Sequence, residues 1–242
     1  MYVLAFDTAT DVVSVAVGRG GDPLCALQLV AGREHAERLA PAIAEVCDGA
    51  GVGFDRLAAI AVGIGPGRFT GLRVGVTTAK VMAQALGIPV VGIGSLDLIA
   101  YPLRHARREV VAIIDARRKE VFWAQYRPVP GGLSRATDDA VDPPRDVVAE
   151  LAVGRSEVLL AGDGAERYRD EFTALDHVEL AGPSHSAPSA LALLELAHGR
   201  LEREEFVSPH ELVPRYLRES DAAINWETAR PVLAHPSTRP YE

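Results

Sequence analysis

Sulfur and aromatic rings are scarce in this chain. Of its 242 residues two are cysteine, two methionine and two tryptophan, and Phe, Trp and Tyr together make up 6%. Cys25 and Cys47 lack metal-ligand spacing and read as small core residues of a cytoplasmic protein rather than a disulfide. Long hydrophobic runs are missing too: nothing approaches the ~20 apolar residues that span a bilayer, so no membrane association is expected. The first ten residues, MYVLAFDTAT, have no basic segment ahead of their apolar residues and read as a strand, not a signal peptide. Positive charge is in deficit, with 25 Lys and Arg against 33 Asp and Glu and a formal net charge of −8. That balance argues against a protein that grips nucleic acid alone, because phosphate neutralisation supplies most non-specific affinity. Basic residues cluster only at 104–108 (RHARR) and 117–119 (RRK). Both read as solvated turns, and either is able to form the edge of a larger nucleic-acid site.

Familiar catalytic signatures are also missing. The glycines of Gly63-Ile64-Gly65-Pro66-Gly67 are followed by no Gly-Lys-Ser/Thr, and they lack the last glycine of a dinucleotide fingerprint. His35 has no second histidine three or four residues on; Arg38 and Leu39 stand there. No Gly-x-Ser-x-Gly elbow occurs. What the chain does have is 48% hydrophobic and 24% charged residues, enough for a sizeable core in one large domain or two small ones.

The most informative stretch is 57–87, LAAIAVGIGPGRFTGLRVGVTTAKVMAQALG. An apolar run over 57–64 predicts a buried strand that stops at Pro66. A helix follows over about 69–86, with Thr70 as its expected cap and N–H groups free to face an anion. On a helical wheel, Leu72, Val76, Ala79, Ala83 and Leu86 form one apolar face, and Val74, Thr78, Val81 and Ala85 form a second. One surface helix needs one apolar stripe. Two stripes leave two readings open: an internal helix, or a helix that binds a partner.

Around it the pattern predicts strands at 2–6, 12–17 and 24–30 as an antiparallel meander. A helix over 35–50 buries Leu39, Ile43 and Val46 on one side. A strand at 89–95 leads to a short helix capped by Ser95. The pattern restarts with a hairpin of 110–116 and 121–126, a loop region over 128–144 with one weak edge strand, and a helix at 145–153. A strand at 158–162, a helix near 166–175, a strand at 178–181 and a helix at 187–201 complete it. Two halves with similar strand–helix order suggest a duplicated α/β unit. Asp7-Thr8-Ala9-Thr10 sits in a turn between two apolar strands, where nucleotide-binding proteins of the actin and sugar-kinase class present Asp and hydroxyl groups to phosphate and metal. Asp and Thr are also ordinary turn formers. Asp115 ends the matching strand of the second half and would face Asp7 across a cleft. Asp163, between Gly162 and Gly164, follows another strand end.

Five segments carry a resemblance: LAFDTATDVVSVAV (4–17), EHAERLAPAI (34–43), GIGPGRFTGLRVGVTTAK (63–80), IDARRKEVFWAQY (114–126) and PRYLRESDA (214–222). They resemble the TsaB (YeaZ) family of bacterial tRNA threonylcarbamoyladenosine modification. The resemblance implies an α/β fold of two actin-like (ASKHA, ribonuclease H-like) lobes, each a mixed sheet with helices. An N-terminal lobe over 1–104 would carry the partner-binding helices. A C-terminal lobe would span 105–225, its last helix packing back on the first lobe, and 226–242 would form a flexible tail.

Members of the family are non-catalytic partners of the transferase TsaD, which modifies adenosine 37 of tRNA and carries a His-x-x-x-His metal motif that this chain lacks. TsaE joins them, and TsaC supplies threonylcarbamoyl adenylate. The resemblance therefore implies a heterodimer with TsaD, a homodimer when alone, and tRNA contact only through the complex. Leu39, Ile43, Val46, Leu72, Val76, Ala79 and Ala83 would form the partner-binding helix pair, so that an arginine at Ala79 or Ala83 would keep the fold and lose the complex. Asp7, Thr8, Thr10, Gly65, Gly67, Arg68, Asp115 and Asp163 would line a vestigial nucleotide or anion cleft. No metal and no cofactor is required; weak or shared ATP or ADP binding is confined to the complex. The alternative is an ATP-dependent kinase or ATPase of the same fold, with Asp7, Thr8, Thr10, Asp115 and Asp163 holding metal and phosphates.

Overall fold

Alternation along the first strands sets the architecture. In β1 (Tyr2–Asp7), Leu4 and Phe6 point to one face while Val3 and Ala5 point to the other, and all four are buried, so both faces of the sheet are covered. The computed structural model describes residues 1–154 and 156–218. The tail expected over 226–242 and the end of the 214–222 segment lie outside the described residues.

Strands β1, β2 (Val12–Arg19) and β3 (Asp22–Val30) form the antiparallel meander, and β4 (Leu57–Gly63) and β5 (Val90–Ile93) add parallel to β1 in the order β3-β2-β1-β4-β5. Helices α1 (His35–Gly49) and α2 (Phe69–Leu86) cover one face of this sheet. The second sheet repeats the mixed plan. It runs β11 (Val178–Leu180), β10 (Val158–Ala161), β6 (Glu109–Arg117), β7 (Glu120–Val129) and β8 (Gly132–Arg135), with β9 (Ala140–Asp142) beside β7. Helix α4 (Pro144–Val153) and two short helices, α5 (Asp163–Arg167) and α6 (Arg169–Phe172), complete its outer side. This is the two-lobed actin-like architecture that the resemblance implies.

The lobes exchange elements. Helix α3 (Ser95–Ala100), which follows the first sheet in sequence, packs Leu96, Ile99 and Ala100 on Val110, Ala112 and Ile114 of the second. Helix α7 (Ala190–Glu202), late in the chain, lays Leu193, Leu194 and Ala197 over Ala5, Ala16, Ala59 and Ala61 of the first. Those alanines leave room for a helix to lie close to the strands. Ser189 caps α7 by accepting the Ala192 N–H at 3.3 Å, and the Ala190 N–H donates to Ser14 Oγ at 3.0 Å. After α7 the chain crosses back: Val207 bridges to Val90, Leu212 is buried in the first core, and the Arg215 N–H donates to the Ile64 carbonyl at 2.7 Å.

Local differences from the sequence reading have simple causes. The 128–144 region pairs as two short strands, because β7 offers both β8 and β9 a free edge. The helix expected near 166–175 begins earlier, at Asp163, and breaks at Tyr168, whose φ of −111° and ψ of 28° leave the helical region. Neither Thr70 nor Ser95 caps a helix: Arg68 and Gly94 occupy the cap positions, and no side chain caps either end.

Candidate functional site

The turn after β1 is sunk into the molecule rather than offered to solvent. Asp7, Thr8 and Thr10 are 1%, 0% and 1% exposed. Asp7 Oδ1 accepts the Ala9 N–H at 2.8 Å, and Oδ2 accepts the Ser95 hydroxyl at 2.7 Å. Thr8 Oγ1 donates to the Gly71 carbonyl at 2.8 Å. His35 Nε2 lies 2.7 Å from the Thr10 carbonyl oxygen, and Thr10 Oγ1 accepts the Val12 N–H at 3.3 Å. Burial holds the Asp7 carboxyl above its ordinary value, opposed by the bonds from Ser95 and Ala9 and by the nearby His35. The glycines make this possible. A Cβ at Gly71 or Gly75 would collide with Thr8, and one at Gly63 would collide with the Asp7 carboxylate.

Three residues expected to line a cleft are therefore engaged inside the molecule: Asp7 by Ser95 and Ala9, Thr8 by Gly71 of α2, and Thr10 by Val12 and His35. Asp115 lines the cavity between the lobes, and Asp7 is not among the residues lining it. Gly65 is buried as well, its N–H donating to Ser95 Oγ at 3.2 Å. Of the expected cleft residues, Gly67, Arg68 and Asp115 do meet, around a cavity of about 680 Å³ between the lobes. The Asp115 carboxylate pairs with Arg117 at 3.2 Å and Arg167 at 3.6 Å. Its backbone N–H donates to Asp163 Oδ1 at 3.0 Å. Burial pushes the Asp163 carboxyl up to about 6. Among the described residues no group of three or more His, Cys, Asp or Glu is placed to hold a metal ion.

Sequence reasoning missed the acid that organises this mouth. Asp11 takes Arg68 of the first lobe in an ion pair and accepts Arg117 of the second at 3.1 Å. Arg218 reaches the same hairpin, pairing with Glu120 and donating to the Ala116 carbonyl at 3.2 Å. Arg117, Arg118 and Lys119 all have positive φ, at 64°, 55° and 63°. Three successive left-handed residues without a glycine are an unfavourable backbone, of the kind that clusters at functional sites. The only sequence signal was the second aspartate of DTATD and the run RRK.

The helix pair corrects a second expectation. Leu39, Ile43, Val46, Leu72, Val76, Ala79 and Ala83 are all 4% exposed or less, inside the chain's own core. The sheet takes that face because its leucines, isoleucine and valines are the larger apolar groups. The outward face belongs to the other residues. On α2 it carries Val81 at 61% exposed, with Thr77 and Ala85 exposed and Val74 and Thr78 half-buried. On α1 it carries exposed Ala36, Ala40, Pro41 and Ala44. These small side chains leave two adjacent helices open to close approach by another helix pair. No helix among the described residues is long and apolar enough to cross a membrane.

Comparison with known proteins follows the same lines. Residues 29–226 match the family model described as TsaD: tRNA N6-adenosine threonylcarbamoyltransferase. The chain is 32% identical over 234 residues to the tRNA threonylcarbamoyladenosine biosynthesis protein TsaB of Haemophilus influenzae, covering 94% of this chain and 96% of that protein. An uncharacterized protein of Mycobacterium leprae is 36% identical over 224 residues, which cover 91% of this chain but 55% of that protein's length. Among solved structures, YeaZ from Pseudomonas aeruginosa superposes with a TM-score of 0.77 at 34% identity, covering 89% of this chain and 99% of that one.

Proposed function

This chain belongs to the TsaB (YeaZ) family, within the wider family of the TsaD transferase, and on that premise we propose that it is a non-catalytic subunit of the tRNA threonylcarbamoyladenosine machinery. It acts in the biosynthesis of that modified nucleoside by binding TsaD and, with TsaE, activating it. The observation that carries the reading is the outward face of α1 and α2: Val81 at 61% exposed beside Ala85, Ala40 and Ala44, on helices otherwise held firmly by their own core.

TsaD's first helices lie against this face as a four-helix bundle. In the absence of TsaD a second copy of the chain takes the same place. A specific interface buries ~800 Å² per partner. At ~25 cal/mol per Å² of apolar area the gross gain offsets the cost of association without guaranteeing tight binding. Activation is architectural: the helix pair holds TsaD in its competent lobe arrangement and completes a docking surface for TsaE.

Two local facts support a subunit that does no chemistry itself. His35 is 3% exposed and bonded to the Thr10 carbonyl, and position 39 on the same helix face is a buried leucine. Asp7, which a kinase of this fold would direct at nucleotide and metal, is held by Ser95 and Ala9. No nucleotide is required of the chain.

Val81→Arg tests the face directly. The variant should fold normally and fail to co-elute with TsaD. Unchanged co-elution would remove the helix pair from the account.

A further inference from the structure

We propose that the cavity between the lobes is a seat for a strand of RNA, with backbone phosphates on its arginines and an unstacked base on its aromatic ledge. The proposal deepens the functional reading above and rests on it, since it gives the complex a point of contact with its tRNA that the acidic chain as a whole does not suggest.

The charge at the cavity is opposite to that of the molecule. Arg33, Arg68, Arg117, Arg118 and Arg218 line it, against one lining carboxylate, Asp115. Lys119 stands at the hairpin tip beside them, while Arg68 and Arg117 pair with Asp11, Arg117 also with Asp115, and Arg218 with Glu120, in a chain of formal charge −8. The cations come from separate elements around the mouth. Arg33 stands between β3 and α1, Arg68 at the start of α2, Arg117 at the end of β6 with Arg118 and Lys119 in the turn after it, and Arg218 in the returning C-terminal segment.

Cations spread over four segments suit an extended polyanion rather than a compact phosphate group. Guanidinium forks match phosphate oxygens in pairs. All three residues of the run RRK have left-handed backbone, and two of them, Arg117 and Arg118, line the cavity.

Beside the arginines lies an aromatic ledge. Phe69 and Tyr216 both line the cavity, with ring centroids 5.0 Å apart and planes tilted by 37°. The Arg73 guanidinium covers the Phe69 ring at 4.2 Å. Tyr216 keeps 42% of its surface exposed. A cationic groove with aromatic faces is the arrangement by which proteins hold single-stranded nucleic acid, stacking bases without reading them. A free nucleotide offers the same phosphate chemistry. The turn that would grasp it with metal is the Asp7–Thr10 segment, whose polar side chains are buried and taken by internal hydrogen bonds.

The test is titration of a labelled, unmodified tRNA transcript with the chain alone and with the chain bound to TsaD, at several salt concentrations. The double variant Arg33→Glu, Lys119→Glu alters two exposed cations at the rim. It should bind roughly tenfold more weakly or worse, with a salt dependence shallower by about one to two phosphate contacts. Tyr216→Ala should weaken binding while leaving the salt slope unchanged. Arg107→Glu, a charge reversal in the separate basic turn, should leave binding intact.

Transcript binding that is unaffected by the double variant, or equally weakened by Arg107→Glu, overturns the seat. So does displacement of the transcript from the cavity by ADP at concentrations that leave the salt slope of the remaining binding unaltered. Co-elution with TsaD reads the functional proposal separately. A double variant that keeps TsaD and binds tRNA like the wild type sinks the seat alone. A wild-type chain that never meets TsaD sinks the subunit reading, while the chain's own titration still decides the seat.

Discussion

Residue by residue, the polar groups of the first turn show how little room this interior leaves. Gly71 lies so near the Thr8 carbonyl that a methyl group has no place, and the collision is with backbone rather than a flexible side chain. Gly71→Ala should therefore cost about 1–3 kcal/mol, read as a lower urea midpoint with an unchanged slope. The carboxyls make a second prediction. The folded state holds the Asp163 proton more tightly than the unfolded chain does. That group therefore favours folding at low pH, and its contribution is lost as the pH rises from 3.8 to about 6. Asp163→Asn keeps an oxygen for the Asp115 N–H and removes the titration. Its stability relative to the wild type should rise by about 3 kcal/mol as the pH climbs through that window. A gap that stays constant with pH would contradict the assignment. The sequence made residue types legible here but not their direction. DTAT is a turn that could present its oxygens outward, and its inward direction depends on partners distant in sequence, Gly71 for Thr8, Ser95 for Asp7 and His35 for Thr10.

Among the elements, strands and long helices were plain from periodicity, and α2 has the bounds that the pattern predicts, 69–86. Its two apolar stripes were equally plain, and a wheel has no means of telling which one a sheet will take. Packing decided it: the stripe with Leu72 and Val76 went inward, and the stripe with Val81 and Ala85 stayed out. The two stripes predict opposite outcomes for the same substitution. Ala79→Arg puts a charge where the exposure is 0% and should cost several kcal/mol or abolish folding, whatever partner is present. Val81→Arg should change stability by no more than about 0.5 kcal/mol and act on association alone. Thermal melts of the two variants beside gel filtration with TsaD separate these effects. The short elements were less legible. Helices α5 and α6 and strands β8 and β9 are held by neighbours distant in sequence, so local pattern carried little of their bounds.

The whole molecule is two lobes clasped by exchanged parts. Helix α3 serves the second sheet, α7 serves the first, and Asp11 joins Arg68 to Arg117 across the mouth. Duplication was visible in the order of strands and helices, whereas the exchange was not, because it depends on which sheet each helix meets after the chain has folded. An acidic surface, a buried first turn and an open helix pair fit a protein that works through another protein. The reconstituted reaction tests that claim most directly. TsaC, TsaD and TsaE, given tRNA, threonine, bicarbonate and ATP, should form threonylcarbamoyladenosine efficiently only when this chain is added, and the Val81→Arg variant should fail to replace it. Equal product without the chain, or full activity from the variant, would contradict the account.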